Sequence, residues 1–284
     1  MTEKRCVLEA KDLVFSYETT PNVIRGISMK AFPGERIIFL GGNGEGKSTL
    51  LYLLAGLFPP ESGAIEIDGE RVDPGKDVPP HLRKKTGFLF QESEDQILGA
   101  TVYEDISFGP MNMKLEEEDI RSGVEKAIEM TGLEGLEERP THYLSGGEKK
   151  RLCLASTFVM EPKILFCDEP FNSLDSSMKE KVENYLWDYS LKGNTLLLAT
   201  HDVDFAWRFA TRILLIHGGQ ILLDQAPEDF FQHKPLLEQV NLPMPLLLSL
   251  AETMGCKGRP KTLEEFIEEQ EKNRHRTGAL RDHV

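Results

Sequence analysis

Nine residues, Gly41-Gly42-Asn43-Gly44-Glu45-Gly46-Lys47-Ser48-Thr49, constrain this chain more than any other stretch. They fit G-x-x-x-x-G-K-[ST]. The apolar run Arg36-Ile37-Ile38-Phe39-Leu40 leads into them, and Leu50-Leu51-Tyr52-Leu53-Leu54-Ala55 follows. That order predicts a buried strand, a tight loop and a helix, the context in which the pattern binds phosphate. Glycines let backbone N–H groups converge on an anion, and a helix starting near Lys47 adds its positive end. In such a loop Lys47 reaches the β- and γ-phosphates of a nucleotide, and the Ser48 hydroxyl reaches Mg²⁺. A glycine-rich turn without a ligand is the competing reading, and the flanking strand and helix argue against it.

A chain of 284 residues holds one large domain or two modest ones. A net charge of −14 argues against nucleic acid as the main ligand, because a phosphate backbone needs a basic face. Cys6, Cys153, Cys167 and Cys256 show no metal-ligand spacing and read as reduced core residues, not as a disulfide framework or zinc site. The charged N-terminus lacks the apolar core of a signal peptide, and no run is long enough to span a membrane. Membrane association is therefore expected to go through a partner.

Residues 6–17 alternate loosely and suggest strands of a small mixed sheet, with a second strand from Val23 to Lys30. Residues 64–69 alternate like an exposed strand, and polar residues 70–85, with three prolines, read as a surface excursion. Gly87-Phe88-Leu89-Phe90 predicts a short buried strand ending at Gln91. From Ile97 to about Arg139 apolar residues fall at helical spacing (Ile120, Val124, Ala127, Ile128, Leu133), which predicts an inserted helical subdomain. A parallel sheet resumes at residues 163–168, followed by a helix from about Ser177 to Leu191 and a strand over 195–200. This alternation indicates a doubly wound α/β core. Residues 213–223 predict a hairpin with a Gly218-Gly219 turn. Beyond Pro227 a Leu-rich, Pro-broken stretch is expected to pack on the core or on a partner. Thr262-Leu263-Glu264-Glu265 predicts a capping box on a short last helix. The final dozen residues, with Lys272, Arg274, His275, Arg276 and Arg281, are expected to fray, and His275 and His283 have no ligand-spaced neighbours.

Three further features bear on chemistry. Ile164-Leu165-Phe166-Cys167-Asp168-Glu169 is an apolar strand ending in two acids, downstream of a phosphate loop. Asp168 is then placed to hold Mg²⁺ and Glu169 to act as general base on the attacking water. Leu144-Ser145-Gly146-Gly147-Glu148-Lys149-Lys150-Arg151 opens a second helix with an anion cradle. One phosphate loop needs only one cradle; two chains head to tail need both. At this point the sequence resembles the ATP-binding-cassette ATPases, whose signature is L-S-G-G-Q, over roughly residues 6–226. The resemblance implies an α/β P-loop NTPase fold: a RecA-like core, an N-terminal antiparallel β subdomain and an inserted helical subdomain. It makes Gln91 the glutamine linking γ-phosphate and Mg²⁺ to the helical subdomain, and Asp175, in Ser173-Leu174-Asp175, part of a loop reaching across a dimer. It also makes His201 the residue contacting the γ-phosphate and Tyr17 the aromatic stacked on adenine.

Ligands implied by the resemblance are ATP and Mg²⁺. The expected nucleotide-binding residues are Tyr17, Gly41, Asn43, Gly44, Gly46, Lys47, Ser48, Thr49, Ser145, Gly146, Gly147 and Asp175. Lys47, Gln91, Glu169 and His201 would be catalytic, and Ser48, Gln91 and Asp168 would hold the metal. Two departures stand out: Glu148 replaces the signature Gln, and Glu45 brings a charge into the phosphate loop, where it is expected to point outward. Residues 90–98 and 101–110, with Ala199-Thr200-His201-Asp202-Val203-Asp204, look most like energy-coupling-factor ATPases, the group that includes cobalt and nickel uptake ATPases. The implied assembly is a dimer with an identical or paralogous ATPase, an integral membrane coupling subunit and a substrate-binding membrane subunit, at the cytoplasmic face of the membrane. Glu92, Glu94 and Asp95 are expected to meet basic residues of the coupling subunit. The alternative within the family is a generic binding-protein-dependent importer. A DNA-repair cassette protein would need a long coiled-coil or zinc insertion before Ser145, a translation-factor relative two cassettes, and an exporter a fused membrane domain. The expected division is an ATPase domain over 1–230, its helical subdomain at about 97–155, and a helical appendix over 231–284.

Overall fold

In the computed structural model, which describes residues 5–72, 78–256 and 258–279 and side chains as far as Glu271, the alternating N-terminal segments become β1 (Leu8–Tyr17) and β2 (Thr20–Ala31). The apolar run before the phosphate loop is β3 (Arg36–Leu40), and α1 (Lys47–Leu54) follows the loop. Next come β4 (Ser62–Ile67), β5 (Glu70–Val72), α2 (Pro80–Arg83) and β6 (Thr86–Leu89). The helical stretch contains α3 (Val102–Asn112), α4 (Glu117–Thr131) and α5 (Gly146–Phe158). The chain returns through β7 (Ile164–Asp168), α6 (Ser176–Leu191), β8 (Thr195–Ala199), α7 (Val203–Phe209) and the hairpin β9 (Arg212–His217) to β10 (Gln220–Gln225). It ends with α8 (Pro227–Phe230), α9 (Lys234–Gln239), α10 (Leu246–Thr253) and α11 (Leu263–Ala279).

Among the described residues the strands form two sheets, ordered β2-β1-β4-β5 and β10-β9-β3-β8-β7-β6. The first is antiparallel throughout, which corrects the mixed sheet read from the alternation and agrees with the antiparallel subdomain that the family resemblance implied. In the second, β6, β7, β8, β3 and β9 run parallel, and only β10 is antiparallel. Its central strands read as unbroken apolar runs because both faces are covered. Ile38, Leu40, Leu165, Cys167, Leu196 and Leu198 point to one core, shared with α5, α6 and α7. Their neighbours Ile37, Phe39, Ile164, Phe166, Leu197 and Ala199 point to the other, shared with α1 and the antiparallel sheet. This period-two division makes the six-stranded sheet the middle layer of three.

A third, separate core lies under α3, α4 and α5, where Val102, Ile106, Val124, Ile128, Leu144 and Leu152 pack together. The stretch over 70–85 is more than a surface excursion. β5 pairs with β4, and Val72, Val78 and Leu82, scattered around the prolines, enter the core that α1 shares. Residues 73–77 of that stretch lie outside the described residues. The Leu-rich tail packs back on the main core through Phe230, Phe231, Leu237, Leu242 and Leu248. The Trp207 indole N–H donates to the Pro260 carbonyl at 2.8 Å and fixes the segment before α11. Thr262 Oγ1 accepts the Glu265 N–H at 3.2 Å, while Glu265 Oε2 reaches the Lys261 N–H, one residue earlier than a capping box requires. Helix α11 continues to Ala279, into the stretch expected to fray. Arg281 and His283 lie outside the described residues, as do the side chains of Lys272, Arg274, His275 and Arg276. Among the described residues no helix is long and apolar enough to cross a membrane.

Candidate active site

Parallel strands deliver their carboxyl ends to one edge of the sheet, and β3, β6, β7 and β8 each end at, or lead within two residues into, a motif singled out in the sequence. After β3 the loop turns so tightly that a Cβ on Gly41 would lie 2.3 Å from the Ile216 carbonyl oxygen, and one on Gly46 2.9 Å from that of Val23. Gly46 has φ 95°, a conformation that costs glycine little. The loop is thus pressed against β9 and β2. Lys47, buried, donates to the carbonyls of Gly41 at 3.0 Å and Gly42 at 2.8 Å. Burial pulls its ammonium below the ordinary lysine range, opposed by Glu169, Asp168 and Glu45. The Tyr17 hydroxyl lies 3.0 Å from Thr49 Oγ1, and its ring packs edge-on against Phe15 and Phe58 with one side open.

Ser48 Oγ donates to Asp168 Oδ1 at 3.0 Å. Asp168 is buried, and burial pushes its carboxyl above the ordinary aspartate range, with the Ser48 hydrogen bond opposing. A hydroxyl and a buried carboxylate, with the Gln91 amide lining the same cavity, form an all-oxygen donor set that fits Mg²⁺. Among the described residues no cluster of three or more His, Cys, Asp or Glu could cage a metal instead.

The next residue, Glu169, adopts φ 45°, and its N–H donates to the Ala199 carbonyl at 3.0 Å. A non-glycine residue held in the left-handed region is strained, and such strain gathers at functional sites. The turn aims the carboxylate across to the end of β8. There Thr200 Oγ1 donates to Oε2 at 3.1 Å, and His201 Nδ1 lies 2.8 Å from Oε1.

Gln91 is exposed just past β6, and its side chain makes no hydrogen bond among the described residues. Its backbone, in contrast, is held. Lys150 of α5, 1% exposed, donates to the carbonyls of Phe90 at 2.9 Å and Gln91 at 3.1 Å. Gln96 accepts the Phe90 N–H at 3.2 Å and donates to Thr157 Oγ1 at 2.9 Å. The segment around Gln91 is therefore fastened to the helix that Ser145 opens. At that helix start Glu148 completes a capping box: Ser145 Oγ accepts the Glu148 N–H at 3.3 Å, and Glu148 Oε2 accepts the Ser145 N–H at 2.7 Å. That N–H, foremost, holds the Glu148 carboxyl below the usual glutamate range.

One open cavity of about 630 Å³ brings together Tyr17, Asn43, Gly44, Gly46, Lys47, Ser48, Thr49, Gln91, Asp168, Glu169 and His201. Gly41, pressed against β9, does not line it, nor do Ser145, Gly146, Gly147 and Asp175. A Cβ on Gly147 would lie 3.3 Å from the Ser173 carbonyl oxygen, which sets the Ser-Gly-Gly turn beside the Ser173–Asp175 loop. Asp175 caps α6 by accepting the Met178 N–H at 2.9 Å. Glu45 turns away from the cavity to the β9–β10 turn. Glu94, one of the three acids expected to meet a partner, is exposed and paired with Lys149 at 2.5 Å. Sequence reasoning missed Thr200, Gln96 and Lys150. Thr200 stood between Ala199 and His201 as the one available signal; Gln96 and Lys150 act through contacts about 60 residues away in sequence.

The family model described as ABC transporter matches residues 24–172. The energy-coupling factor transporter ATP-binding protein EcfA2 of Methanospirillum hungatei is 36% identical over 282 residues, 97% of this chain and 71% of that protein. EcfA3 of Clostridium perfringens, of the same description, is 36% identical over 88% of each chain. Among solved structures, cbiO1 of Clostridium perfringens, described as part of the ABC transporter complex cbiONQ, superposes with a TM-score of 0.71 at 36% identity, covering 87% of this chain and 99% of that one. A dimeric ATP-binding cassette bound to ADP and Pi in a post-hydrolysis state gives 0.70 at 26% identity, covering 78% and 98%.

Proposed function

The chain belongs to the ABC transporter family of ATP-hydrolysing proteins, and on that footing we propose that it is the ATPase subunit of an energy-coupling-factor importer. The observation that carries the reading is the cavity at the strand ends. Lys47, Ser48, Asp168, Glu169 and His201 face one space there, while the Ser145 cradle opens elsewhere. A site divided in this way is completed by a second chain, identical or paralogous, whose Ser145-Gly146-Gly147 turn meets the γ-phosphate.

In this reading Tyr17 offers its ring to adenine, and the loop N–H groups with Lys47 hold the phosphates. Lys47 exchanges its carbonyl partners, Gly41 and Gly42, for the β- and γ-oxygens. Ser48 and Asp168, with Gln91, would hold Mg²⁺, which when bound neutralises charge on the β- and γ-phosphate oxygens. Glu169 takes a proton from the attacking water. Thr200 and His201 fix the orientation of its carboxylate from both oxygens, and His201 contacts the γ-phosphate.

Partner docking is assigned to the segment after Gln91. Leu98 is 70% exposed, and Phe108, Met111 and Leu115, at 48%, 61% and 45%, form one stripe along and just beyond α3. Phe108 and Met111, at i and i+3, share a face of α3, Leu115 follows just past its end, and exposed apolar surface of this kind marks a contact site. Glu92 and Asp95 give it an acidic margin. Because Lys150 and Gln96 fasten this segment to α5, a push from the nucleotide side reaches the docking face as a rigid displacement. The partners we assign are an integral membrane coupling subunit and a substrate-binding membrane subunit, with the chain peripheral on the cytoplasmic face. The cargo is a transition metal ion, cobalt or nickel, or a vitamin. Residues 1–230 form the ATPase domain, with the inserted helical subdomain at about 97–155, and 231–284 the appendix.

The test is the double substitution Phe108→Glu with Met111→Glu. The two side chains are 48% and 61% exposed, so folding should survive. The variant is expected to wash off membranes that retain the wild-type chain, with its solution ATPase unchanged. Retention of the variant would remove the docking assignment.

A further inference from the structure

Glu45 is the residue of the phosphate loop that the nucleotide chemistry does not use. Next to a polyphosphate a carboxylate is a liability, so its position needs a reason. In the structure it has left the cavity. Oε2 accepts the Gly218 N–H at 2.6 Å, and Oε1 lies 3.1 Å from His217 Nδ1. Gly218 and Gly219 are the turn between β9 and β10, with φ 54° and 73°.

That turn is already held from the other side. The Arg25 N–H on β2 donates to the Gly219 carbonyl at 2.8 Å, and Arg25 Nη1 to that of Gly218 at 3.2 Å. A Cβ on Gly219 would stand 2.5 Å from the Val23 carbonyl oxygen, so β2 and the turn are in backbone contact. Val23, on the same strand, lines the nucleotide cavity beside Tyr17. The β9–β10 turn is thus a post gripped by β2 on one side and by the phosphate loop on the other, and the loop's grip is the Glu45 side chain. Glu45 stands immediately before Gly46 and Lys47, where the N–H groups that receive phosphate begin.

We propose that Glu45 is a positioning residue that latches the phosphate loop to the β9–β10 turn and so preorganises the loop for ATP. The Gly218 N–H bonds one carboxylate oxygen and the His217 ring lies against the other, which turns the carboxylate away from the phosphates. A preformed anion cradle binds more tightly than one that must be ordered by its ligand, so the latch acts on ATP affinity. This inference rests on ATP binding by the loop and is independent of the transport reading.

Two substitutions separate the latch from a charge effect. Glu45→Asp keeps the charge and is one methylene too short to reach the Gly218 N–H. Glu45→Gln loses the charge and keeps the reach, with its amide oxygen as acceptor. The measurement is steady-state hydrolysis of ATP by the purified full chain, KM and kcat separately, with a thermal melt on each variant. The expected result is a KM about tenfold higher in Glu45→Asp, the equivalent of one lost charge-assisted hydrogen bond. kcat should stay within about twofold, and KM should not fall in Glu45→Gln. A KM that falls in Glu45→Gln, or does not move in Glu45→Asp, overturns the latch. A wild-type chain that binds no ATP, and hydrolyses none alone or with a paralogous cassette subunit, would instead count against the ATPase reading itself.

Discussion

Substitution of Glu169 by Gln removes one proton-accepting group and leaves almost everything else in place. The backbone turn is held by the bond from the Glu169 N–H to Ala199, which the substitution does not touch. The amide keeps the shape of the carboxylate, and its oxygen can still accept from Thr200 Oγ1, now 3.1 Å away. The other contact, to His201 Nδ1 at 2.8 Å, changes from a carboxylate to an NH₂ group. One weakened hydrogen bond on a side chain that is 13% exposed costs about 1 kcal/mol of stability or less. The loss to chemistry is larger. A positioned general base is worth about a hundred- to ten-thousandfold in rate, or about 2.7–5.5 kcal/mol of barrier. The assay is phosphate release by the purified chain at saturating ATP, beside a direct titration of ATP binding. The variant should bind ATP as tightly as the wild type, melt within a few degrees of it, and turn over at least about a hundredfold more slowly. A drop of less than tenfold with normal binding would refute Glu169 as the base. A drop explained by lost binding would refute the assignment of the phosphates to the cavity.

Lys150→Met takes both donors from the carbonyls of Phe90 and Gln91, and kcat should fall about tenfold while ATP affinity stays within about twofold, as turnover and nucleotide titration will show. Gly41→Ala places a Cβ 2.3 Å from a backbone oxygen of β9, and a melt should report destabilisation of at least about 2 kcal/mol. Glu148, held below the usual glutamate range foremost by the Ser145 N–H, contributes stability that is fully present above its unfolded pKa. That contribution is lost as pH falls through the depressed folded value. Urea midpoints from pH 6 to pH 3 should therefore drop less steeply in Glu148→Gln than in the wild type.

What the sequence made legible was the part that parallel-sheet geometry forces together. Strands β3, β7 and β8 are short unbroken apolar runs, each ending in its polar motif, and parallel strands present those ends along one edge. Lys47, Asp168, Glu169 and His201 therefore meet as a consequence of topology. Other features had no local signal. Lys150 reads as one of several charged residues at a helix start, and only the fold reveals that it is buried against carbonyls 59 and 60 residues away in sequence. The direction of Glu45 depends on a hairpin 173 residues downstream. The polar, proline-containing stretch over 70–85 hid Val72, Val78 and Leu82, which enter the core that α1 shares without any periodicity to announce it. The tail's packing on the main core was left open between core and partner for the same reason: Leu-rich segments announce burial without naming the surface.

The claim at the centre of this account is that ATP hydrolysis by this chain drives an energy-coupling-factor importer. The direct measurement is a tagged pull-down of the full chain from solubilised membranes, with mass spectrometry of the proteins retained. The account predicts an integral membrane coupling subunit together with a small substrate-binding membrane protein, and the second of these would indicate the cargo. Paired permeases with a separate binding protein would contradict the energy-coupling assignment while keeping an importer. Soluble partners alone would contradict the transport function and leave an ATPase.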